Sequence, residues 1–420
     1  MTLSASYRTG LLRLSIALLI CGTIASCAHR GDQEESTPPN LPWSPDEHVT
    51  QFGPNGSALL PTQQLLTPAG RQIELPKMRP QVLALSPDGR LLATSGMTSE
   101  LVLLDPKSGK IVQHVPIPPD QSPTTRRAGS SHNLFPQKDP LVSYTGLKFS
   151  PDGTRIYLPN VWGSIAVFAV DSKHHVRVMK SIPLPPTGLK YHPRPIPAGL
   201  AVSIDGKRLY VAMNVSNQLA EVDIESGKVL RTFDVGTAPF DVVVANHKAY
   251  VSNWGGRRVD DGTPTGPIGV GARVRVDPVR YIANEGSVSV IDLDNGRVLK
   301  ELIVGMHASA LAATADGRHV AVANASSDTV SVIETSNDTI VETISARWDP
   351  HDLFGASPNA LAFDRSGRTL YVCNGTQNSI AVIQFDPGHS RLAGLIPTGW
   401  YPGAVAVAAH GSGLYVANIK

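Results

Sequence analysis

The stretch between residues 254 and 286 concentrates side chains that could bind an anion. It contains Trp254, Arg257, Arg258, Arg273, Arg275 and Arg280. Arginine binds carboxylates and phosphates through two parallel hydrogen bonds, and tryptophan commonly anchors partner surfaces. The same stretch contains acidic residues that nearly balance the arginines, namely Asp260, Asp261, Asp277 and Glu285. It therefore predicts either an internally ion-paired loop or a patch that binds an anionic or aromatic ligand or a partner domain.

Histidines in the connections between repeats are the candidates for metal ligands. They are His132, His192, His307 and His351, and Asp349 and Asp352 lie beside the last of them. No two show the H-x-H or H-x-x-x-H spacing that brings two side chains to one ion. We therefore predict no metal and no cofactor. His307 stands in VGMHASAL, next to the position where related connections carry Pro239, Pro358 and Pro402.

No motif in the chain predicts catalysis. The body contains no G-x-S-x-G, no Walker loop and no Cys-x-x-Cys. Its formal net charge of +2 gives no support for nucleic-acid binding, which usually requires a strongly basic face. We predict no catalytic residue and no nucleic-acid partner.

The elements that must position these residues are repeated hairpins. GLAVSIDGKRLYVAMN spans residues 199–214, and related hairpins occupy 82–96, 146–160, 241–253, 310–324, 360–374 and 404–418. Each pairs two runs of alternating apolar residues, a pattern typical of half-buried strands. A second hairpin, such as QLAEVDIESGKVLRTFDVG at 218–236, follows every copy except the last. We name the four strands of each unit A to D.

Four antiparallel strands in a repeated unit predict an all-β, seven-bladed β-propeller over residues 51–420. The last unit, Pro402–Asn418, contains strands A and B only, whereas Ser57–Pro76 resembles a C–D hairpin without its partner. Together they would complete the seventh blade and leave no open sheet edge, so a monomer is expected. The Asp-Gly pairs of the A–B turns and the Asn that ends strand B are interpreted as turn chemistry.

The strand endings LYVAMN, AYVSN, VAVAN, LYVCN and LYVAN resemble the YVTN-type, YncE-like β-propeller repeat. The stretch WGGRRVDDGTPTGPIGVGARVRVDPVRYIANEGSVSVID and the ending GWYPGAVAV…LYVANIK are similar to one group in particular. This group is the propeller half of bacterial proteins that fuse the domain to an alkaline-phosphatase-like phosphoesterase. The resemblance spans about Ser57 to Lys420 and implies the propeller fold. The sequence contains no phosphoesterase metal-ligand segment, so the resemblance implies no phosphatase activity here.

The long connections are predicted to lie on one face of the propeller. The A–B and C–D turns are short, whereas 118–145, 185–197 and 345–357 are D–A connections and 254–286 is a B–C connection. Binding residues are enriched on long loops held by a rigid scaffold, so we expect the B–C/D–A face to be the working face. Its candidate binding residues are Trp254, Arg257, Arg258, Arg273, Arg275, His307, His351, Trp400 and Tyr401.

The N-terminus is predicted to be an export signal over residues 1–26. Arg8 and Arg13 precede a short apolar run that leads to Ile24-Ala25-Ser26-Cys27, which resembles a bacterial lipobox. This resemblance implies cleavage before Cys27, its lipidation, and a place in the cell envelope, with the outer membrane favoured. The alternative is an ordinary secretory signal cut near Ala25. Residues 27–50 are polar and Pro-rich, as expected of a flexible tether.

Four functional hypotheses are compatible with the sequence. We favour a lipid-anchored, non-enzymatic binding module that uses the B–C/D–A face for a protein partner or small ligand. The alternatives are the propeller part of a split or truncated phosphoesterase system, a lactonase-type hydrolase, and a propeller that associates with redox subunits. The last lacks a C-x-x-C-H haem site of its own, and the lactonase alternative rests on shared fold alone.

Overall fold

The structure, a computed structural model, describes residues 51–53, 56–62, 64–118, 143, 145–189, 193–268, 273–349, 351–409, 411 and 413–420. The predicted signal segment, Cys27, the tether, His132 and His192 lie outside these residues. Every regular element described is a β-strand, and none of the described residues forms a helix able to cross a membrane.

The strands form antiparallel sheets in chain order. The first sheet comprises β1 (Gln51–Phe52), β2 (Ala58–Leu59) and β3 (Leu65–Leu66). Blade 1 comprises β4 (Pro80–Leu85), β5 (Leu92–Gly96), β6 (Glu100–Leu104) and β7 (Ile111–Pro116); blade 2 comprises β8 (Lys148–Phe149), β9 (Arg155–Asn160), β10 (Ser164–Val170) and β11 (Val176–Pro183). Blade 3 comprises β12 (Pro197–Val202), β13 (Arg208–Met213), β14 (Gln218–Asp223) and β15 (Val229–Asp234).

The later blades follow the same order. Blade 4 comprises β16 (Pro239–Ala245), β17 (Lys248–Asn253), β20 (Gly286–Asp292) and β21 (Arg297–Val304), and between its strands B and C lies the hairpin β18 (Thr265–Pro267) and β19 (Arg273–Arg275). Blade 5 comprises β22 (Ala308–Ala313), β23 (His319–Asn324), β24 (Thr329–Glu334) and β25 (Thr339–Ser345). Blade 6 comprises β26 (Pro358–Phe363), β27 (Thr369–Asn374), β28 (Ser379–Gln384) and β29 (Arg391–Pro397), and blade 7 contributes β30 (Pro402–Val407) and β31 (Leu414–Asn418).

Apolar alternation on strands B and C builds the core between blades. Tyr157 and Ile165 of blade 2, for example, pack in one buried cluster with Leu209 and Val211 of blade 3. Strand D lies at the outside of each blade, so side chains such as Val112 and Leu230 remain exposed there. The period-two pattern therefore places each side chain against one of the two neighbouring blades.

Seven A strands surround the central axis, which confirms the predicted β-propeller. Strand β30 of blade 7 lies between β26 of blade 6 and β4 of blade 1, and this contact closes the ring. Blades 1 to 6 have four strands each, and blade 7 has the A–B pair predicted from the sequence.

The predicted strand pairing at the N-terminal end differs from the structure. Strand β2 pairs with both β1 and β3, and residues 72–75, which fall within the predicted C–D hairpin, lie outside any strand. No strand pairing joins β31 to residues 57–76 among the described residues. Leu75 instead packs on the same buried cluster as Tyr415, so apolar contact holds this segment without a ladder. The segment also bonds to blade 6, where the Ala69 amide donates to the Pro397 carbonyl at 2.9 Å.

The Asp-Gly turns have the structural role expected from the sequence. The Ser86 hydroxyl and the Arg90 amide both donate to Asp88 Oδ1, at 2.6 and 3.1 Å, and Gly89 adopts a φ of +70°. All the long connections between described strands join B to C or D to A, as predicted.

Candidate functional site

The blade 4 insertion, residues 254–286, leans toward blade 3. Arg258 Nε donates to the Val235 carbonyl at 2.7 Å, and Arg258 Nη2 donates to the Asn217 carbonyl at 2.5 Å. Its guanidinium also pairs with Asp234 at 3.2 Å. Gly255 is required at the base of the insertion, because a side chain there would collide with Val274 and Thr237. The insertion is thus a braced extension of blades 3 and 4.

Glu285 is the main brace within the insertion. Its carboxylate accepts hydrogen bonds from the Arg257 amide at 2.9 Å and from Arg257 Nε and Nη2 at 3.2 and 2.9 Å. Arg275 Nε lies 3.6 Å from the same carboxylate, and its Nη2 lies 2.8 Å from Asp260. The hydrogen bond to Glu285 raises the pKa of Arg257 above its usual value. These pairs correspond to the first of the two alternatives that the charge balance of the sequence predicts, an internally ion-paired loop.

A second acidic residue, Glu301 on β21, is partly buried next to the base of the insertion. Ser289 donates to Glu301 Oε2 at 2.6 Å, whereas Asn253 Nδ2 donates to Oε1 at 3.1 Å and the Ser287 hydroxyl donates to the same Oε1. Burial raises the pKa of Glu301 despite these hydrogen bonds, which favour the carboxylate. The Glu301 charge also contributes to the raised pKa of Arg257, so the partly buried carboxylate of β21 interacts electrostatically with the insertion.

An open cavity of about 310 Å³ lies between the insertion and blade 3. Arg258, Val259 and Arg273 line it from the insertion, and Val215 and Asn217 line it from blade 3. Arg273 bonds to Thr265, through Nε to the hydroxyl at 2.6 Å and through Nη2 to the carbonyl at 2.8 Å. The cavity therefore combines apolar walls with two arginines already fixed in position.

Trp254 and His307 come together at the start of strand A of blade 5. The Trp254 ring stacks on Phe240 with centroids 4.4 Å apart, and it lies 4.6 Å from the His307 ring at a tilt of 56°. Burial lowers the pKa of His307, because the charged imidazolium loses its water. A neutral imidazole can accept a proton or a hydrogen bond, so this group could bind a ligand or act as a base.

His307 adopts the backbone conformation of a repeated joint. It has a φ of +59°, and Ala238, Ser357 and Tyr401 have φ values between +52° and +61° at the same place before strand A. In each case the carbonyl accepts a hydrogen bond from the residue after the terminal Asn of strand B; for His307 the donor is the Ala325 amide, at 3.1 Å. The conformation of His307 thus belongs to the scaffold, and only its side chain is particular to blade 5.

The connection 345–357 presents exposed apolar side chains. Arg347 donates to the Asp352 carbonyl, and its guanidinium lies 4.6 Å from the Phe354 ring centroid. Asp328 accepts the Gly355 and Ser357 amides at 2.7 and 2.9 Å, which fixes the end of the loop. Three large apolar side chains in the described part of this connection remain exposed, and their exposed fractions are 61% for Trp348, 90% for Leu353 and 72% for Phe354.

The remaining candidate residues occupy separate places. His351 is exposed and hydrogen-bonds Asp349 at 2.8 Å. Trp400 packs against the N-terminal cluster of Ala58, Leu60 and Leu66, and the Lys420 ammonium lies 5.3 Å from the Trp400 and Tyr401 ring centroids.

The nine predicted binding residues therefore do not form one described cluster. Contacts join Trp254 to His307, and Arg257 to Arg275 through Glu285, whereas the described contacts of His351, Trp400 and Tyr401 lie elsewhere. Among the described residues, no three His, Cys, Asp or Glu side chains are grouped as metal ligands.

Sequence reasoning missed the apolar part of this face. The exposed side chains there include Val259, Ile268, Val279, Tyr281, Ile282, Trp348, Leu353 and Phe354. The available signal was the presence of large apolar residues in a connection rather than in an alternating strand, as for Trp348, Leu353 and Phe354. Neither charge nor histidine content marks these positions.

The fold and this loop-rich face define a β-propeller protein. The family model "Lactonase, 7-bladed beta-propeller" matches residues 276–409. No curated protein matches the chain. The structure is similar to a solved chain of Kuenenia stuttgartiensis hydrazine synthase, with a TM-score of 0.62 and 18% sequence identity. The similarity covers 84% of this chain and 96% of that chain, and at this identity it shows the fold alone.

Proposed function

We propose that the protein is an exported binding module whose B–C/D–A face docks a protein partner. The observation that carries the proposal is the exposure of several aromatic and aliphatic side chains on two braced connections, 254–286 and 345–357. Buried aromatic anchors supply most of the binding energy in protein interfaces. Connections fixed by Arg347, Asp328 and Glu285 would lose little conformational entropy on binding.

The proposal can be tested by affinity capture from extracts of the source cells. The double variant Trp348→Ser/Phe354→Ser removes two anchors, and Ile204→Ser changes an even more exposed side chain in an A–B turn on the other face. We expect the double variant to lose a partner that wild type and Ile204→Ser both retain. Identical captured proteins for all three would contradict a role for this face.

The partner class that the sequence favours is an alkaline-phosphatase-like phosphoesterase. The support is the resemblance of the YVTN-type repeats and of the insertion to propellers fused to such enzymes. Mass spectrometry of the captured partner tests this identity, and a partner without a phosphoesterase domain would contradict it while leaving the docking face intact.

Export and lipid anchoring are a further part of the proposal, and they rest on the lipobox-like Ile24-Ala25-Ser26-Cys27. Cys27→Ser should shift the protein from the membrane fraction to the soluble fraction and abolish palmitate labelling. Cys21→Ser, a matched change inside the signal, should leave both unchanged. Equal labelling of wild type and Cys27→Ser would contradict the lipoprotein assignment.

A lactonase-type hydrolase is the second candidate, favoured by the family-model match over residues 276–409. That segment includes His307, whose pKa is lowered by burial, so the neutral imidazole that a general base requires is favoured. Hydrolysis of sugar lactones by the purified protein, lost in His307→Gln, would support it. Hydrolysis that His307→Gln leaves unchanged, or none beyond the buffer rate, would exclude this role for His307.

A further inference from the structure

On the face opposite the proposed docking surface, the junction between blades 4 and 5 contains a buried carboxylate. Lys248 Nζ donates to both oxygens of Asp338 at 2.9 and 2.8 Å, and the Tyr250 hydroxyl donates to Oδ1 at 2.6 Å. Lys248 and Tyr250 lie on strand B of blade 4, and Asp338 lies in the C–D turn of blade 5. A cation and a tyrosine of one blade thus bind a carboxylate of the next.

The junction between blades 2 and 3 has the same basic and tyrosine positions without that carboxylate. Arg155 and Tyr157 occupy the places of Lys248 and Tyr250 at the start of strand B. Gly227 stands where blade 5 has Asp338, four residues after the end of strand C, and both have a positive φ, of +70° and +55°. A lysine of strand D contacts this turn in both junctions, Lys180 in one and Lys300 in the other.

Strand C of blade 2, which pairs with the strand of Arg155, also gives Arg155 no acidic partner. Arg208 of blade 3 is paired across the ladder with Asp223, whereas Arg155 is paired with Ala169. Within the described part of the chain, Arg155 makes no ion pair. The buried Tyr157 hydroxyl lies beside Arg155 but has no hydrogen-bond partner of good geometry among the described residues.

A cavity of about 240 Å³ opens at this junction. Arg155 and Tyr157 line it together with Asp152 and Asp205 of the two A–B turns. Asp152 is occupied by Ser150 and by the amide and hydroxyl of Thr154, whereas Asp205 uses only Oδ1, for Ser203 and the Lys207 amide. The cavity thus offers a cation and a carboxylate oxygen, and its volume is below the range of about 300–1,000 Å³ typical of sites for drug-sized ligands.

We propose that this cavity binds a small zwitterion of the amino-acid class. The ligand carboxylate pairs with Arg155 beside Tyr157, as the Asp338 carboxylate pairs with Lys248 and Tyr250 in the equivalent junction. The ligand ammonium group pairs with Asp205. A simple anion would meet two aspartates and one arginine, and a simple cation would leave Arg155 without a partner, so a molecule with both charges fits best.

The test is isothermal titration calorimetry of the full chain with glycine, L-alanine and L-glutamate. Acetate and methylamine, which carry one charge each, serve as half-ligand controls. We expect millimolar or tighter binding of at least one zwitterion, weakened about tenfold or more by Arg155→Gln and by Asp205→Asn because each removes a charge-assisted hydrogen bond. Asp316→Asn, the matched change in the A–B turn of blade 5, should leave the affinity unchanged.

Two further variants keep the test decisive if a substitution disturbs folding. Arg155→Lys retains the charge and should weaken binding less than Arg155→Gln. Gly227→Asp introduces a carboxylate at the position of Asp338 and at a φ that Asp338 also adopts, so we expect it to compete for Arg155 and to weaken binding. Failure of all three zwitterions to bind, equal affinity in Arg155→Gln, or equally tight binding of acetate would overturn the proposal. None of these results bears on the docking face, which lies at the other end of the blades.

Discussion

The two faces of the propeller differ in what their charged side chains stabilise. On the face of the A–B and C–D turns, short connections are fixed by carboxylates, as Asp338 fixes Lys248 and Tyr250 between blades 4 and 5. On the face of the B–C and D–A connections, charged side chains such as Arg347 brace loops that leave Trp348 and Phe354 exposed. The first arrangement stabilises contacts between blades, whereas the second maintains apolar surface in water.

This difference separates stability from binding. Exposed apolar clusters on a folded monomer commonly mark interaction sites, because the fold itself gains nothing from them. Substitutions on the turn face should therefore change the free energy of unfolding, and substitutions at the exposed tips of the loop face should change partner binding.

The largest effect on stability is expected for Asp338→Ala. The change removes the carboxylate paired with Lys248, which keeps the Thr335 carbonyl as an acceptor, and it removes the acceptor of the buried Tyr250 hydroxyl. Removal of one partner from a buried pair costs about 3–5 kcal/mol. Urea unfolding followed by tryptophan fluorescence measures it. Asp294→Ala, which removes an exposed partner of His247, is the control and should change the free energy of unfolding little. Equal effects of the two variants would contradict the contrast between buried and exposed pairs.

An intermediate effect is expected for Glu285→Gln on the loop face. This variant loses the ion pairs with Arg257 and Arg275, at an expected cost of about 1–3 kcal/mol, because both arginines keep other partners or solvent. The measurable result is faster proteolysis between residues 254 and 286 with little change in global unfolding. Asp261→Asn, an exposed acidic residue of the same insertion, serves as the control. Unchanged proteolysis in Glu285→Gln would mean that apolar contacts alone hold the insertion.

A smaller and pH-dependent effect is expected from Glu301. Its pKa in the folded state is raised by burial above the ordinary value of 4.5, so the folded state holds the proton more tightly than the unfolded state. The resulting stability is present below about pH 4.5 and is lost as the pH rises through the folded-state pKa. Urea midpoints across this range should fall less with pH in Glu301→Gln than in wild type. Parallel curves for the two proteins would contradict this assignment, and the exposed Glu225→Gln should follow wild type.

The smallest effect is expected for Ile204→Ser on the turn face. The side chain is 94% exposed, so its removal should change neither the free energy of unfolding nor capture of a partner. Loss of partner binding in this variant would show that the turn face also takes part in docking.

The sequence predicts the scaffold well because the apolar alternation within each strand shows which of its side chains are buried. Alternation in runs such as LYVAMN shows which side chains pack between blades, and the length of each connection shows its face. The partners of the insertion could not be predicted in the same way. Arg258 bonds to Val235 and Asp234 of blade 3, and only the tilt of the insertion brings them together.

The N-terminal segment shows a second feature that the sequence does not predict correctly. Residues 72–75 have the alternation of a strand, yet Leu75 is held by packing rather than by a ladder to β31. The sequence also shows that one C–D turn has Gly227 where another has Asp338. It does not show which tyrosine and which cation lie against each turn, and these contacts determine whether the turn fills the junction.

Site-specific photocross-linking in the source cells tests the central claim most directly. A photoreactive residue placed at Trp348 or Tyr281 on the loop face is compared with one at Ile204 on the turn face, all three being strongly exposed. We predict a discrete cross-linked partner from the two loop-face positions and none from Ile204. The same partner captured from Ile204, or no partner from either loop-face position, would contradict the assignment of the B–C/D–A face as the docking surface.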